Sequence, residues 1–126
     1  MRGALVGIGI DSVDIERFAA VLARRSAVAS RVFTEDERAY AGRLANPTPA
    51  LAGRFAAKEA VMKALGVGLG SIDWSDVEII RSDSGEPVLS VGGRAAALAS
   101  GKGIGSWLVS ITHTATVASA VVAAIR

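Results

Sequence analysis

The segment ALAGRFAAKEAVMKALG, residues 50–66, carries the longest helical pattern in the chain, and the other elements are read around it. On a helix advancing about 100° per residue, Leu51, Phe55, Met62 and Leu65 form an apolar stripe. Glu59 lies at the border of the stripe and Lys58 falls inside it. Gly66 marks the C-terminal stop, and Pro49, closing the NPTP loop, suits the first turn. Everything else is shorter. GALVGIGI at 3–10 reads as a buried strand. The period changes at Ser12, a suitable N-cap, where Ile15, Phe18 and Leu22 fall at i, i+3 and i+7. The sequence TEDE at 34–37 forms a capping box that starts another helix. VEIIRS, DSGEP and VLSVGG read as a hairpin, RAAALASGKG as a short helix, and WLVSITHTATVASAVVAAI as two strands broken near Thr114–Thr116. The order is β-α-α-α-β-β-α-β-β, which predicts an α+β fold with a mostly antiparallel sheet packed with helices, and a single domain over residues 1–126.

Composition excludes several chemistries. Without cysteine there is no disulfide, thiolate metal site or Cys nucleophile, and one histidine cannot build a His-based zinc cluster. No apolar run reaches the roughly 20 residues of a membrane span, and the first residues do not read as a signal peptide, since Asp11 and Asp14 follow Ile10 directly. A cytoplasmic protein without membrane attachment is therefore expected. A net charge of +2 and 5% aromatic residues give no support for nucleic-acid binding.

The apolar run of the first strand goes straight into Asp11. Position 12 is serine, so GIGIDS lacks the third glycine of a dinucleotide-binding turn. Taken alone, Asp11 is a cap or helix-dipole partner and Glu59 a surface partner of Lys63 at i+4. Together, two carboxylates without Cys or a His cluster suit Mg²⁺, which uses one or two carboxylates plus substrate phosphates and water. The basic residues of the same helix would hold those phosphates. Gly66 and Gly68 suggest a loop approaching a phosphate, and His113 sits near a strand end.

GIGIDSVDIERF, RVFTEDERAY, AGRFAAKEAVMKALGVGLG and SITHT, in this order and at these separations, resemble the holo-acyl-carrier-protein synthase family of small 4′-phosphopantetheinyl transferases, over nearly the whole chain. The resemblance implies transfer of the phosphopantetheine arm of coenzyme A to a serine of apo acyl carrier protein, releasing adenosine 3′,5′-bisphosphate. It implies Asp11 and Glu59 as Mg²⁺ ligands and Lys63 as the lysine at the phosphate under attack. Arg54, Lys58, His113 and the adjoining Thr114 would lie near coenzyme A, and a homotrimer would carry active sites between neighbouring subunits. Arg17, Val21 and Arg24, at i, i+4 and i+7 with Arg25 beside them, would face an acidic helix of the carrier. Either Glu59 or a water is available to take the serine proton. Two positions depart from the family pattern: Glu86 stands where the hairpin turn usually has a basic residue, and the NPTP loop lacks a basic cluster, leaving Arg38 and Arg43 nearest. Both bear on the 3′-phosphate contacts. The alternatives are a non-catalytic nucleotide- or RNA-binding domain and a different Mg²⁺-dependent phosphoryl or nucleotidyl transferase.

Overall fold

The computed structural model describes residues 4–126. Strand β1 (Leu5–Asp14) leads into helices α1 (Ile15–Arg24), α2 (Ala27–Val32), α3 (Glu35–Gly42) and α4 (Thr48–Leu65). A single 3₁₀ turn at Trp74–Asp76 precedes the hairpin β2 (Val77–Arg81) and β3 (Pro87–Val91). Helix α5 (Gly93–Gly101) and strands β4 (Ser106–His113) and β5 (Val117–Ile125) complete the chain. The strands form two antiparallel sheets, β1-β5-β4 and β2-β3, so the expected α+β class and its antiparallel pairing hold.

Two boundaries differ from expectation. Gly3 lies outside the described residues, and β1 runs on to Asp14 instead of stopping at Ile10. Asp14, not Ser12, caps α1, its carboxylate accepting from the Arg17 backbone N–H at 2.9 Å. Ser12 still faces its sheet neighbour, Ser119, with which it shares a hydroxyl hydrogen bond of 2.8 Å. Four helices, not three, precede the hairpin. The additional α2 has only six residues, too few for a period to show. The Thr34–Glu37 capping box is present, and Gly66 ends α4 in the left-handed region at φ 73°.

Helix α4 is the centre of the molecule. One core packs Ala56, Ala60, Val61, Ala64 and Leu65 of α4 against Ala120, Val122 and Ala124 of β5 and Val77 and Ile79 of β2. A second gathers Ile15, Phe18, Phe33, Leu51 and Ala52. There Phe55 stacks on Trp74 at 5.3 Å between centroids and packs at a tilt against Phe18 at 5.2 Å. Small residues let β1 pass directly over the helix. A Cβ on Gly9 or Gly7 would collide with the carbonyl oxygens of Ala60 and Ala64. The glycines of GIGID therefore admit helix backbone, not a dinucleotide, and they set Asp11 one step beyond the contact.

Candidate active site

Asp11, Glu59 and Lys63 line one cleft, together with Ser12, Asp14, Arg17, Phe18, Val21, Val28 and Phe55. The Lys63 ammonium donates to the Asp11 carboxylate at 3.1 Å and to the Ile10 carbonyl at 2.9 Å, which ties the helix to the strand end. The expected Glu59–Lys63 pair on the helix surface is not among the ion pairs of the described residues; Lys63 pairs with Asp11. An ammonium has three N–H groups, so one is left for a ligand, and the Lys63 side chain is 52% exposed. Burial pushes the Glu59 carboxyl above the ordinary glutamate range. The Asp11 charge adds to this and Lys63 opposes it.

The donor set fits Mg²⁺. Two oxygen ligands from rigid elements, one of them held above its usual pKa by burial and by the other, supply the unmet negative charge a hard cation takes. Asp14, the other carboxylate lining the cleft, is the N-cap of α1, and no group of three metal-ligating side chains forms among the described residues, so phosphate and water would complete such an ion.

Lys58 requires a correction. It is 1% exposed, and its ammonium pairs with Glu37 at 2.9 Å while donating to the carbonyls of Trp74 and Val77. All three N–H groups are used inside the protein, so Lys58 does not reach solvent and keeps no donor for the coenzyme A contact expected of it. Glu37 is equally buried and completely engaged: besides Lys58 it accepts from the backbone N–H groups of Thr34 and Ile79, both at 3.0 Å. Burial draws the Lys58 pKa down and Glu37 counters this.

Gly66 and Gly68 line neither of the clefts that hold the other candidates. They follow the carbonyl end of α4, where the helix dipole disfavours an anion, and Gly66 serves as the left-handed cap. Thr114 is also spent locally, its hydroxyl accepting from Thr116 and Val117 to shape the β4–β5 turn.

Arg54 and His113 occupy a second cleft, of ≈ 320 Å³, with Tyr40, Asn46, Ile79, Arg81 and Ile111. Periodicity did not single out Tyr40 or Arg81; they come to Arg54 only through the packing of α3 and β2 on α4. Arg17 and Val21 open onto the carboxylate cleft, whereas Arg24 and Arg25 are exposed at the end of α1.

A family model for the 4′-phosphopantetheinyl transferase superfamily matches residues 7–120. The chain belongs to that superfamily. It is 49% identical to the holo-[acyl-carrier-protein] synthase of Frankia casuarinae over 121 residues, covering 96% of this chain and 98% of the relative. Its fold is similar to that of the holo-[acyl-carrier-protein] synthase of Neisseria meningitidis, with a TM-score of 0.89, 29% identity and coverage of 98% and 100%. The Helicobacter pylori enzyme, solved in complex with coenzyme A, superposes with a TM-score of 0.81 at 31% identity, covering 93% and 98%. The matched residues 7–120 take in most of β1 and all of α4, the two elements that carry Asp11, Glu59 and Lys63.

Proposed function

We propose that this enzyme transfers the 4′-phosphopantetheine group of coenzyme A to the serine of an apo acyl carrier protein, using the Asp11–Glu59–Lys63 cleft. The observation that carries the site assignment is the convergence of these three side chains, from β1 and α4, in one partly apolar cleft. Attack of a hydroxyl on a pyrophosphate needs charge neutralisation and alignment more than a covalent nucleophile. Asp11 and Glu59 would hold Mg²⁺, which when bound neutralises the pyrophosphate charge. Lys63, anchored on Asp11 and the Ile10 carbonyl, turns its remaining N–H to the phosphoryl oxygen and stabilises charge there. Its two anchors keep that donor in place before substrate arrives. The Arg17 and Val21 side of the cleft receives the carrier serine.

The functional unit in this reading is a homotrimer in the cytoplasm, where the arm of coenzyme A on one subunit's Arg54–His113 cleft reaches a neighbour's carboxylates. The outer face of the β1-β5-β4 sheet supports assembly. Ile8, Ala123 and Leu108 form one row across its three strands, and Ile10 and Val121 begin the next. Ile8, Ile10 and Leu108 are each more than 60% exposed, an apolar patch that calls for a partner. No helix among the described residues is long and apolar enough to cross a membrane. Intact-mass spectrometry of apo carrier incubated with coenzyme A, Mg²⁺ and this protein decides the activity. A gain of one phosphopantetheine group is expected, and an unchanged carrier would refute the proposal.

A further inference from the structure

We infer that the buried Glu37–Lys58 pair positions the carboxylate cleft: it fixes the rotation of α4 about its own axis, and with it the direction in which Glu59 is presented to Asp11. The inference rests on the reading of Asp11 and Glu59 as the metal-binding pair. A buried ion pair adds little net stability, because desolvation of both charges offsets most of their attraction; setting a registry is its best-attested use.

The other contacts of α4 leave its rotation loosely set. Ala56, Ala57, Ala60 and Ala64 lie within about 100° of one another on the helix. They share a core cluster with Ala120 and Ala124 of β5, and Gly7 and Gly9 of β1 cross the carbonyls of Ala64 and Ala60. Small side chains allow close approach but raise no ridge against turning. Leu51, Val61 and Leu65 add buried apolar contacts. Such contacts have no directional requirement, whereas a hydrogen bond weakens steeply below about 120°. Arg54, the other buried cation of α4, supplies no such bond to another element. Its Nε has no hydrogen-bond partner, one Nη donates to the Ala50 carbonyl of the same helix at 3.4 Å, and its guanidinium lies over the Tyr40 ring at 4.5 Å.

Lys58 and Glu37 fix the rotation against the open edge of β2. The Ser82 N–H bonds the Glu86 carbonyl across the hairpin. By alternation Glu78 and Ile80 bond to β3, and Val77 and Ile79 turn their backbone groups the other way. There the Lys58 ammonium donates to the Val77 carbonyl and the Glu37 carboxylate accepts from the Ile79 N–H at 3.0 Å. The ion pair takes the place of a neighbouring strand. Lys58 also donates to the Trp74 carbonyl at 3.0 Å, and the Trp74 ring stacks on Phe55, a wall of the cleft. Glu59 follows Lys58 directly, about 100° round the helix. Any turn of α4 that broke these bonds would swing Glu59 relative to Asp11, which β1 carries.

Isothermal titration with Mg²⁺ alone, without coenzyme A, tests this in the wild type, Lys58→Met/Glu37→Gln, Glu37→Gln and Ile104→Ala. The double substitution removes one charge of each sign, so the net charge is unchanged and the overall field does not explain a weaker metal site. Half-saturation of the double variant should need roughly 10-fold more Mg²⁺, as when groups that orient metal ligands are removed. Glu37→Gln keeps an acceptor for β2 and should show the same displacement to a smaller extent, so the test stands even if Lys58→Met does not fold. Ile104→Ala truncates a core residue between α5 and β4, away from the pair, and should leave the Mg²⁺ requirement unchanged. The Mg²⁺ dependence of turnover should move in parallel, with most of kcat recovered at saturating metal. Wild-type Mg²⁺ affinity in both Glu37 variants would overturn the inference while leaving the metal reading intact. An equal displacement in Ile104→Ala would also overturn it, because lost stability would then be sufficient. A wild type that binds Mg²⁺ no better than Asp11→Asn would remove the metal reading and the inference with it.

Discussion

Two lysines on one helix have opposite fates because of where their N–H groups go. Lys58 spends all three on Glu37 and two carbonyls, whereas Lys63 spends two, on Asp11 and the Ile10 carbonyl, and keeps one unengaged. Lys63→Ala should therefore lower kcat more than it weakens coenzyme A binding; kinetics and melting temperature measured on one sample check this. Asp11→Asn and Glu59→Gln should each lose roughly 10²-fold or more in turnover with the fold retained. The Glu59 pKa is raised in the folded state, so its contribution to stability is present below the ordinary glutamate range and lost as pH rises through the raised value. Metal-free Glu59→Gln should thus melt no lower than the wild type at neutral pH, and its relative advantage should vanish in acid. Added Mg²⁺ should raise the melting temperature of the wild type but not of Asp11→Asn or Glu59→Gln; scanning calorimetry across pH with and without the metal reads both effects.

Between elements, position is set by close backbone approach and by one buried ion pair. Gly7 and Gly9 let β1 rest on the carbonyls of Ala60 and Ala64, which fixes the distance from Asp11 to the helix bearing Glu59 and Lys63. On the far side, Lys58 ties α4 to Glu37 of α3 and to the carbonyls at Trp74 and Val77. Removing one partner of such a pair leaves an uncompensated buried charge. Lys58→Met should cost on the order of 3–5 kcal/mol, and pairing it with Glu37→Gln should recover part of this. Chemical denaturation of the two single variants and the double variant measures the coupling. If Lys58 bound substrate instead, the main effect would be on KM for coenzyme A.

At the scale of the whole molecule, the proposed contacts with other chains rest on two exposed surfaces. Arg17 and Val21 open on the carboxylate cleft, and Arg24 continues the basic row into solvent. Charged rows of this kind mainly raise association rate and weaken with salt. Arg24→Glu should raise KM for the carrier several-fold and leave KM for coenzyme A and the melting temperature nearly unchanged, with a shallower fall of kcat/KM on adding NaCl. The second surface is the apolar face of the β1-β5-β4 sheet. Leu108→Asp, at the β4 end of its first row, should break the assembly and lower activity; light scattering beside an assay checks this, and a fully active wild-type monomer would refute the trimer.

The sequence by itself determined the elements whose signals are local. The long α4 with its left-handed Gly66 stop, the capping box at Thr34, the hairpin around Gly85 and the break before Thr116 all follow from periodicity and turn chemistry. It also placed Asp11 at the end of a strand pattern and Glu59 and Lys63 on a helix, enough to suggest Mg²⁺ and phosphate binding. What spacing could not reveal was partnership across long separations. Lys63 lies 52 residues from the Asp11 it pairs with, and only the crossing of β1 over α4 selects that partner over Glu59. The spacing that put Lys58 on the apolar stripe was right about its burial, but Glu37 and the carbonyls that fill its valence come from α3 and from the segment before and at the start of β2. Tyr40, Arg54 and Arg81 likewise belong to three elements, with no common period to join them. Their convergence, and the unsatisfied Arg54 Nε at its centre, is decided by how α3 and β2 pack on α4, because hydrogen-bond and ion-pair partners are chosen by distance in space and not by distance along the chain.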